Sequence, residues 1–309
     1  MLRRPRALRD GDRVAIVAPA SPFDRDRFER GVAELRDLGF RPVFDDRVFE
    51  RQAYVAGSPP SRAAGFRAAW RDPSVAALVA ARGGYGSAQL LPLLDAAELR
   101  HQPKALVGCS DLTALLTFLT IQCGVVGFHG PMVVSLADGR DGYDRGSLLG
   151  QLSQPVPFGP LPDDDGVEVL RRGRARGRLL GGTLTQLVSS LGTSFSFDPP
   201  PGFVLLLDDV GERPYRIDRM LTQLRQAGVL ARAAAVVCAE FPGCAEPDGG
   251  VDARAVLAGL AADIDGPILF GLPTGHTRAR PMVTLPLGVE VTVDTDVSGR
   301  LIVEEAAVA

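Results

Sequence analysis

Leu106-Val107-Gly108-Cys109-Ser110-Asp111-Leu112-Thr113 is the stretch around which this chain is organised. Residues 105–107 form a short apolar run that predicts the end of a buried strand. Gly108 permits a sharp turn, and residues 111–122, rich in Leu and Thr, predict a helix. Ser110 therefore falls on a strand-to-helix corner with its hydroxyl lifted above the sheet edge. That is the mechanics of a nucleophile elbow, although the G-x-S-x-G spelling is absent. The Asp111 amide would sit at the helix N-terminus, where unpaired N–H groups and the helix dipole favour a developing oxyanion. A Ser in this place is also a common helix cap. The rest of the chain has to separate the two readings.

Working outward, apolar runs alternate with helical patterns through the first half. Residues 13–18, 42–44, 75–81 and 125–127 predict strands, and 25–38, 61–71 and 87–94 predict helices, with Gly39 closing the first. Strands alternating with helices at this spacing argue for a parallel, doubly wound sheet. In such sheets ligands bind beyond the carboxyl ends of the strands, where both Ser110 and the loop Arg82-Gly83-Gly84-Tyr85-Gly86 fall. Residues 138–173 dissolve into Gly, Pro and Asp, including Asp163-Asp164-Asp165, and predict a linker. Arg171, Arg172, Arg174, Arg176 and Arg178 follow, without interleaved aromatics, and predict a solvated edge strand rather than a nucleic-acid patch.

The second half repeats the alternation. A turn at Gly181-Gly182-Thr183 leads into a helix through Leu191, and residues 203–207 form an apolar strand ending at Asp208-Asp209-Val210-Gly211-Glu212. Residues 216–226 and 252–262 predict helices, 233–239 and 268–270 strands. From Met282 to Val303 apolar and polar residues alternate, with turns at Leu287-Gly288 and Ser298-Gly299, which predicts antiparallel hairpins.

Composition narrows the function classes. The chain has 309 residues, 46% hydrophobic and 23% charged, and a formal net charge of -3. That length suits two domains, and the charge gives no field to draw nucleic acid or an anionic membrane. Cys109, Cys123, Cys238 and Cys244 are too sparse for a disulfide framework, and no C-x-x-C pair suggests zinc. No apolar run approaches the roughly 18 residues needed to span a bilayer. Arg3, Arg4, Arg6 and Arg9 precede residues 14–20, but Asp10 and Asp12 interrupt what a secretory leader would require, so a cytoplasmic location is expected.

A serine hydroxyl is a weak nucleophile until an adjacent base takes its proton, and the base is oriented by a third group. Of the three histidines, His101, His129 and His276, the last is the best candidate base, in a Gly/Pro-rich loop after a buried strand. Asp208 is the best orienting carboxylate. His129, in Gly127-Phe128-His129-Gly130-Pro131, follows a strand and is a candidate to line the same cleft. The Arg82–Gly86 loop does not meet the G-x-G-x-x-G frame of a dinucleotide site. Its use is close backbone approach, with a Gly83 or Gly84 amide as a second oxyanion donor. No metal-ligand cluster is visible, and no cofactor is expected.

Several stretches, in order, are similar to one family. They are Gly11-Asp12 through Ala18-Pro19-Ala20-Ser21, Arg82-Gly83-Gly84-Tyr85-Gly86, Gly108-Cys109-Ser110-Asp111 and Gly127-Phe128-His129-Gly130-Pro131. Gly181-Gly182-Thr183-Leu184, Asp208-Asp209-Val210-Gly211-Glu212 with Pro214-Tyr215-Arg216-Ile217-Asp218-Arg219, and Gly275-His276 complete the set. Together they resemble the LD-carboxypeptidases, also called muramoyltetrapeptide carboxypeptidases, whose relatives include microcin C immunity peptidases. The resemblance implies an α/β chain with a parallel, Rossmann- or flavodoxin-like domain over residues 1–145, a linker over 146–173 and a mixed-sheet domain over 174–309. It implies a metal-independent serine peptidase, homodimeric and cytoplasmic, that removes the terminal D-alanine from peptidoglycan tetrapeptides in cell-wall recycling. Ser110 would be the nucleophile, His276 the base and Asp208 the acid, with the Asp111 and Gly83–Gly84 amides forming the oxyanion hole.

Two departures stand out. The family's acid is usually Glu where this chain has Asp208, so Glu212 is the alternative acid. Cys109 replaces a common aromatic residue and is read as core packing. Arg82 and Arg278 are candidates to meet the substrate's terminal carboxylate. Competing readings are cleavage of an amide in a peptidyl- or aminoacyl-nucleotide antibiotic, and a non-catalytic domain that binds wall peptides.

Overall fold

The strand Val75–Ala80, buried along its whole length, lies inside the first of two sheets. In the computed structural model, which describes residues 2–162, 166–277, 280–296 and 300–309, the early strands are β1 (Arg13–Val17), β2 (Arg41–Val43), β3 (Val75–Ala80), β4 (Ala105–Gly108) and β5 (Gly127–His129). They are parallel in the order β5-β4-β3-β1-β2. Helices Arg25–Asp37 and Pro59–Arg71 form where the sequence predicts them, the helix expected at 87–94 is a 3-10 helix at Ser87–Leu93, and a further helix, Ala96–His101, is not among the expectations. Helix Arg25–Asp37 starts at Asp24, whose carboxylate accepts from the Arg27 amide, and buries Phe28, Val32 and Leu35. The order switches direction between β1 and β3. The segments leaving those two strands meet there, with the Ser21 amide donating to the Gly83 carbonyl at 3.1 Å.

The later strands are β6 (Gly159–Pro160), β7 (Glu168–Arg171), β8 (Arg174–Thr183), β9 (Phe203–Asp208), β10 (Ala233–Ala239), β11 (Ile268–Leu272), β12 (Leu285–Leu287), β13 (Glu290–Asp294) and β14 (Arg300–Val303). Eight of the fourteen strands among the described residues build a mixed second sheet, ordered β6-β14-β13-β8-β9-β10-β11-β7. β12 instead crosses to the first sheet and pairs antiparallel with β5. The chain is a mixed α/β protein.

Alternation along β9 divides the interior in two. Val204 and Leu206 join the core shared with the first sheet, while Phe203, Leu205 and Leu207 join a second core beneath helices Leu184–Ser190, Pro214–Gln226 and Ala253–Ala258. The parity places the next residue, Asp208, on the shared side.

Several expectations need correction. The helix after Ser110 is wound three ways: 3-10 at Ser110–Leu112, α at Thr113–Thr117 and π at Phe118–Cys123. Thr117 and Thr120 turn their hydroxyls back onto carbonyls one turn earlier, which loosens an α-helix. The strand expected at 125–127 lies at Gly127–His129, so His129 is a strand residue and not a loop residue. The stretch expected as a linker carries a helix, Arg145–Ser153, that buries Leu148 and Leu152. Asp163-Asp164-Asp165 and the Ser298-Gly299 turn lie outside the described residues.

The arginine-rich run is an edge strand only at its start: Arg171 ends β7, at the edge of the second sheet, but Arg174, Arg176 and Arg178 lie on the interior strand β8. β8 is flanked by β13 and β9, and its arginines find acids across the antiparallel ladder. Arg174 reaches Asp294 at 3.4 Å, and Arg176 and Arg178 reach Glu290 at 3.4 and 3.7 Å. The hairpin expected across Leu287-Gly288 is also absent, because β12 and β13 belong to different sheets.

Helix Arg25–Asp37 packs its backbone on the segment after β5 through Gly31, where a Cβ would lie 1.9 Å from the Val133 carbonyl oxygen. Gly31→Ala should therefore cost about 1–3 kcal/mol, as overpacking does. Urea unfolding would read this as a lower midpoint, and an unchanged midpoint would contradict the close packing.

Candidate active site

The corner at the end of β4 is strained. Ser110 has φ +61°, in the left-handed region that non-glycine residues avoid, at an energetic cost of about 1–3 kcal/mol. The side chain does not cap the helix: Cys109 occupies the cap position, with no side-chain cap bond there. The Ser110 Oγ lies instead 3.1 Å from His276 Nε2. His276 Nδ1 lies 2.8 Å from Asp208 Oδ2, and the His276 backbone N–H donates to Asp208 Oδ1 at 3.0 Å. One carboxylate thus holds both the ring and the backbone of the histidine.

The loop carrying His276 fits because of Gly275. Its φ is +67°, and a Cβ there would lie 2.4 Å from Asp208 Oδ2. Thr183, at the end of β8, donates its hydroxyl to the same oxygen at 3.2 Å. Asp208 has no exposed side-chain surface, whereas 21% of the His276 side chain is exposed. Burial pushes the Asp208 carboxyl up, but the facing His276 charge and its hydrogen bonds outweigh this and hold it below 3.8. Burial of the imidazole pulls its pKa down, but Asp208 outweighs that and holds His276 above 6.5.

The glycine loop stands against the serine. A Cβ built on Gly83 would lie 2.9 Å from Ser110 Cβ, 3.1 Å from its Oγ and 3.4 Å from the Asp111 amide nitrogen. Gly84, at φ +100°, packs on Ser21, where a Cβ would lie 2.5 Å from the hydroxyl oxygen. Asp111 ties this loop to the elbow: its buried carboxylate accepts from the Ser87 amide at 2.8 Å. Arg62 braces the loop from behind, donating to the carbonyls of Gly57 (3.0 Å), Gly86 (2.8 Å) and Pro19.

Beside His276 opens a cleft of about 470 Å³, lined among others by Cys109, Met132, Asp141, Val210, Arg280 and Met282. Arg280 is engaged by Glu240 at 2.8 Å and by the Gly271 carbonyl. A separate cavity of about 330 Å³, under helix Pro59–Arg71, includes none of Ser110, His276 and Asp208. Among the described residues no group of three or more His, Cys, Asp or Glu side chains is placed to hold a metal ion.

Other candidates are placed elsewhere. Glu212 faces Arg216 at 3.5 Å, one turn into the following helix, and does not meet His276. Arg82 is exposed and donates to the Pro22 carbonyl at 2.8 Å. Arg278 lies outside the described residues. His129 is fully buried and is not among the residues that line the cleft. Cys109 is buried too, and burial pushes its thiol far up, so it is no thiolate. Thr183, Ser87 and Arg62 were not foreseen from the sequence. Two carry a signal: Thr183 lies in the family stretch Gly181-Gly182-Thr183-Leu184, and Arg62 stands four residues before Phe66 on the apolar stripe of its helix, where a solvated arginine is out of place.

Residues 14–130 match the model of the LD-carboxypeptidase N-terminal domain, and residues 176–293 that of the LD-carboxypeptidase C-terminal domain. A protein of Streptomyces coelicolor named as a carboxypeptidase is 36% identical over 99% of this chain and 97% of its own. One from Bacillus subtilis named as a murein peptide carboxypeptidase is 33% identical over 94% of this chain and 92% of its own. The chain belongs to the LD-carboxypeptidase family and is a serine-type carboxypeptidase. Among solved structures, muramoyltetrapeptide carboxypeptidase from Oxalobacter formigenes superposes with a TM-score of 0.80 at 29% identity, over 95% of this chain and 99% of its own. The microcin C7 self immunity protein shares the fold, with a TM-score of 0.89 at 23% identity over 99% of this chain and 100% of its own. Among the described residues no helix is long and apolar enough to cross a membrane.

Gly83→Ala should place a methyl group against Ser110 without a forbidden φ. A loss of about 100- to 1000-fold in kcat is expected, the scale of losing one oxyanion donor. Unfolding in urea should change far less. Retained turnover in this variant would show that the space beside Ser110 is not used by the substrate.

Proposed function

We propose that this protein hydrolyses the amide bond before the C-terminal D-alanine of peptidoglycan tetrapeptides by a Ser110–His276–Asp208 triad. The observation that carries the reading is the strained Ser110, its Oγ 3.1 Å from a histidine whose other nitrogen lies 2.8 Å from a buried carboxylate. His276 Nε2 takes the proton as Ser110 Oγ attacks the carbonyl, then gives it to the leaving amine. Water repeats the sequence on the acyl-enzyme. Asp208 keeps the Nδ1 tautomer protonated and stabilises the imidazolium.

The oxyanion falls between the Asp111 amide and the Gly83–Gly84 peptide. The Gly83 carbonyl is turned to the Ser21 amide, and in a trans peptide the Gly84 N–H points the opposite way, away from Ser21. That makes Gly84 the second donor. The names of the Bacillus subtilis and Oxalobacter formigenes proteins support a cell-wall peptide as substrate. The cytoplasmic recycling role and the homodimer rest on the family resemblance.

A second reading has its own observation. Tyr54 and Tyr85 are exposed, their rings 5.4 Å apart edge to face, and Ser21 links their two segments. Such a pair offers an aromatic surface to a nucleobase, as an aminoacyl-nucleotide substrate would require.

Mass spectrometry of a muramoyl tetrapeptide incubated with wild type and Ser110→Ala separates these. Loss of one D-alanine with wild type only is the expected result. Cleavage of an aminoacyl sulfamoyl nucleotide with no action on the tetrapeptide would favour the second reading. Asp208→Asn should lose about 10⁴-fold in kcat through the wrong tautomer, while Glu212→Gln should stay near wild type. The reverse pattern would overturn the choice of acid.

The pH dependence follows from His276. Only the neutral imidazole accepts the Ser110 proton, so kcat/KM should fall as pH drops through a midpoint above 6.5. Removing the Asp208 charge lowers the histidine pKa, so in Asp208→Asn that limb should move to lower pH. A limb that does not move would detach Asp208 from the base.

A further inference from the structure

His129 takes no part in the chain of groups from Ser110 to Asp208, yet it is fully buried. Among the described residues neither of its ring nitrogens has a hydrogen-bond partner. A neutral imidazole carries one N–H donor and one lone pair, and an apolar interior leaves both at the full cost of desolvation. Native proteins satisfy such groups, often with an internal water.

The ladder fixes where the ring points. On β5, His129 pairs with Gly108 of β4 and Leu285 of β12. Residues that pair across a ladder share a face, as do residues two apart on one strand. A Cβ on Gly108 would lie 2.9 Å from Leu112, and one on Gly127 would lie 2.9 Å from Leu116. The imidazole therefore faces the helical run that starts at Ser110. That run also touches the second sheet: Thr113 Oγ1 accepts from the Thr183 amide at 3.0 Å, and Thr183 donates to Asp208. His129 and Asp208 thus approach one seam from opposite sheets. Burial pushes the His129 ring down to about 4 against the pull of Asp208, so it is neutral at working pH.

Asp208 has capacity to spare. A carboxylate offers about four lone-pair sites. Oδ2 accepts from His276 Nδ1 and Thr183, and Oδ1 from the His276 amide.

We propose that His129 is a positioning residue for the reaction: its imidazole holds a buried water in this seam, and that water donates to the Asp208 carboxylate that orients His276. The proposal rests on the Ser110–His276–Asp208 reading above. Besides His129, the titratable groups at the seam are Asp208 from β9, His276 from its loop and Cys109 from the elbow, with Asp209 also felt by His276. The Cys109 thiol stays protonated.

The test has two parts. A high-resolution crystal structure of the wild-type protein should show an ordered water within hydrogen-bond distance of a His129 ring nitrogen and an Asp208 oxygen. No water there overturns the proposal, whatever the substrate turns out to be. In His129→Phe the water loses its holder, and the carboxylate, short of one donor, pulls harder on the His276 proton. The His276 titration midpoint, followed by NMR, should rise, and kcat should fall about tenfold with KM unchanged. His129→Gln keeps a donor and an acceptor and should restore both in part. An unmoved His276 midpoint in His129→Phe, or equal losses in both variants, would make His129 mere packing. Wild-type protein that cleaves no tetrapeptide would count against the proposed substrate, while the water and the His276 midpoint would still decide the role of His129.

Discussion

The structure of this site depends on one buried negative charge. Asp208 sits at the end of β9 with no exposed side-chain surface. An isolated carboxylate in such a place would be held at great cost unless paired and hydrogen-bonded. Its partners come from distant parts of the chain: Thr183 at the end of β8, and both the backbone and the ring of His276. Satisfying the charge and aiming the histidine are therefore one act. Gly275 is what lets the loop come close enough, since a side chain there would strike the carboxylate.

The first sheet contributes the other half by a similar economy of loops at strand ends. The elbow after β4 holds Ser110 in a strained conformation, with Gly83 and His276 set against its side chain. Asp111, the next residue, is turned inward to bind the Ser87 amide, and Arg62 joins Gly57, Gly86 and Pro19. A charged residue of each sign is thus buried to fix the backbone of the glycine loop. In the proposed mechanism the chemistry is left to Ser110, His276 and main-chain N–H groups.

The two halves are tied together beyond the site. β12, from late in the chain, closes the edge of the first sheet on β5, and the faces of both sheets share one hydrophobic core. This matters for precision, because Ser110 and His276 come from opposite sides of that core and must meet at hydrogen-bond distance. A seam packed by Val204, Leu206 and the helix after the elbow transmits position better than a pair of domains joined by a linker alone.

Local constraints were enough to read much of this from the sequence. Apolar runs, helix periodicity and turn glycines involve neighbours a few residues apart, and they located most of the strands, the elbow at Ser110 and the loop of His276. The family motifs then pointed to Ser110, His276 and Asp208, which the fold brings together. What the sequence could not decide was direction. Alternation says that Asp208 and Asp209 face opposite ways, but only the packing of β9 between two cores says that Asp208 faces the first sheet. Asp209 bonds Thr185 instead, and Glu212 bonds Arg216. His129 reads as a loop residue until pairing with β4 and β12 walls it in, and Arg174, Arg176 and Arg178 read as an edge until β13 brings acids alongside. Each of these depends on which strand lies next to which. That is settled by contacts between residues far apart in the chain, such as Ser110 and His276, 166 positions apart, and no local pattern encodes it.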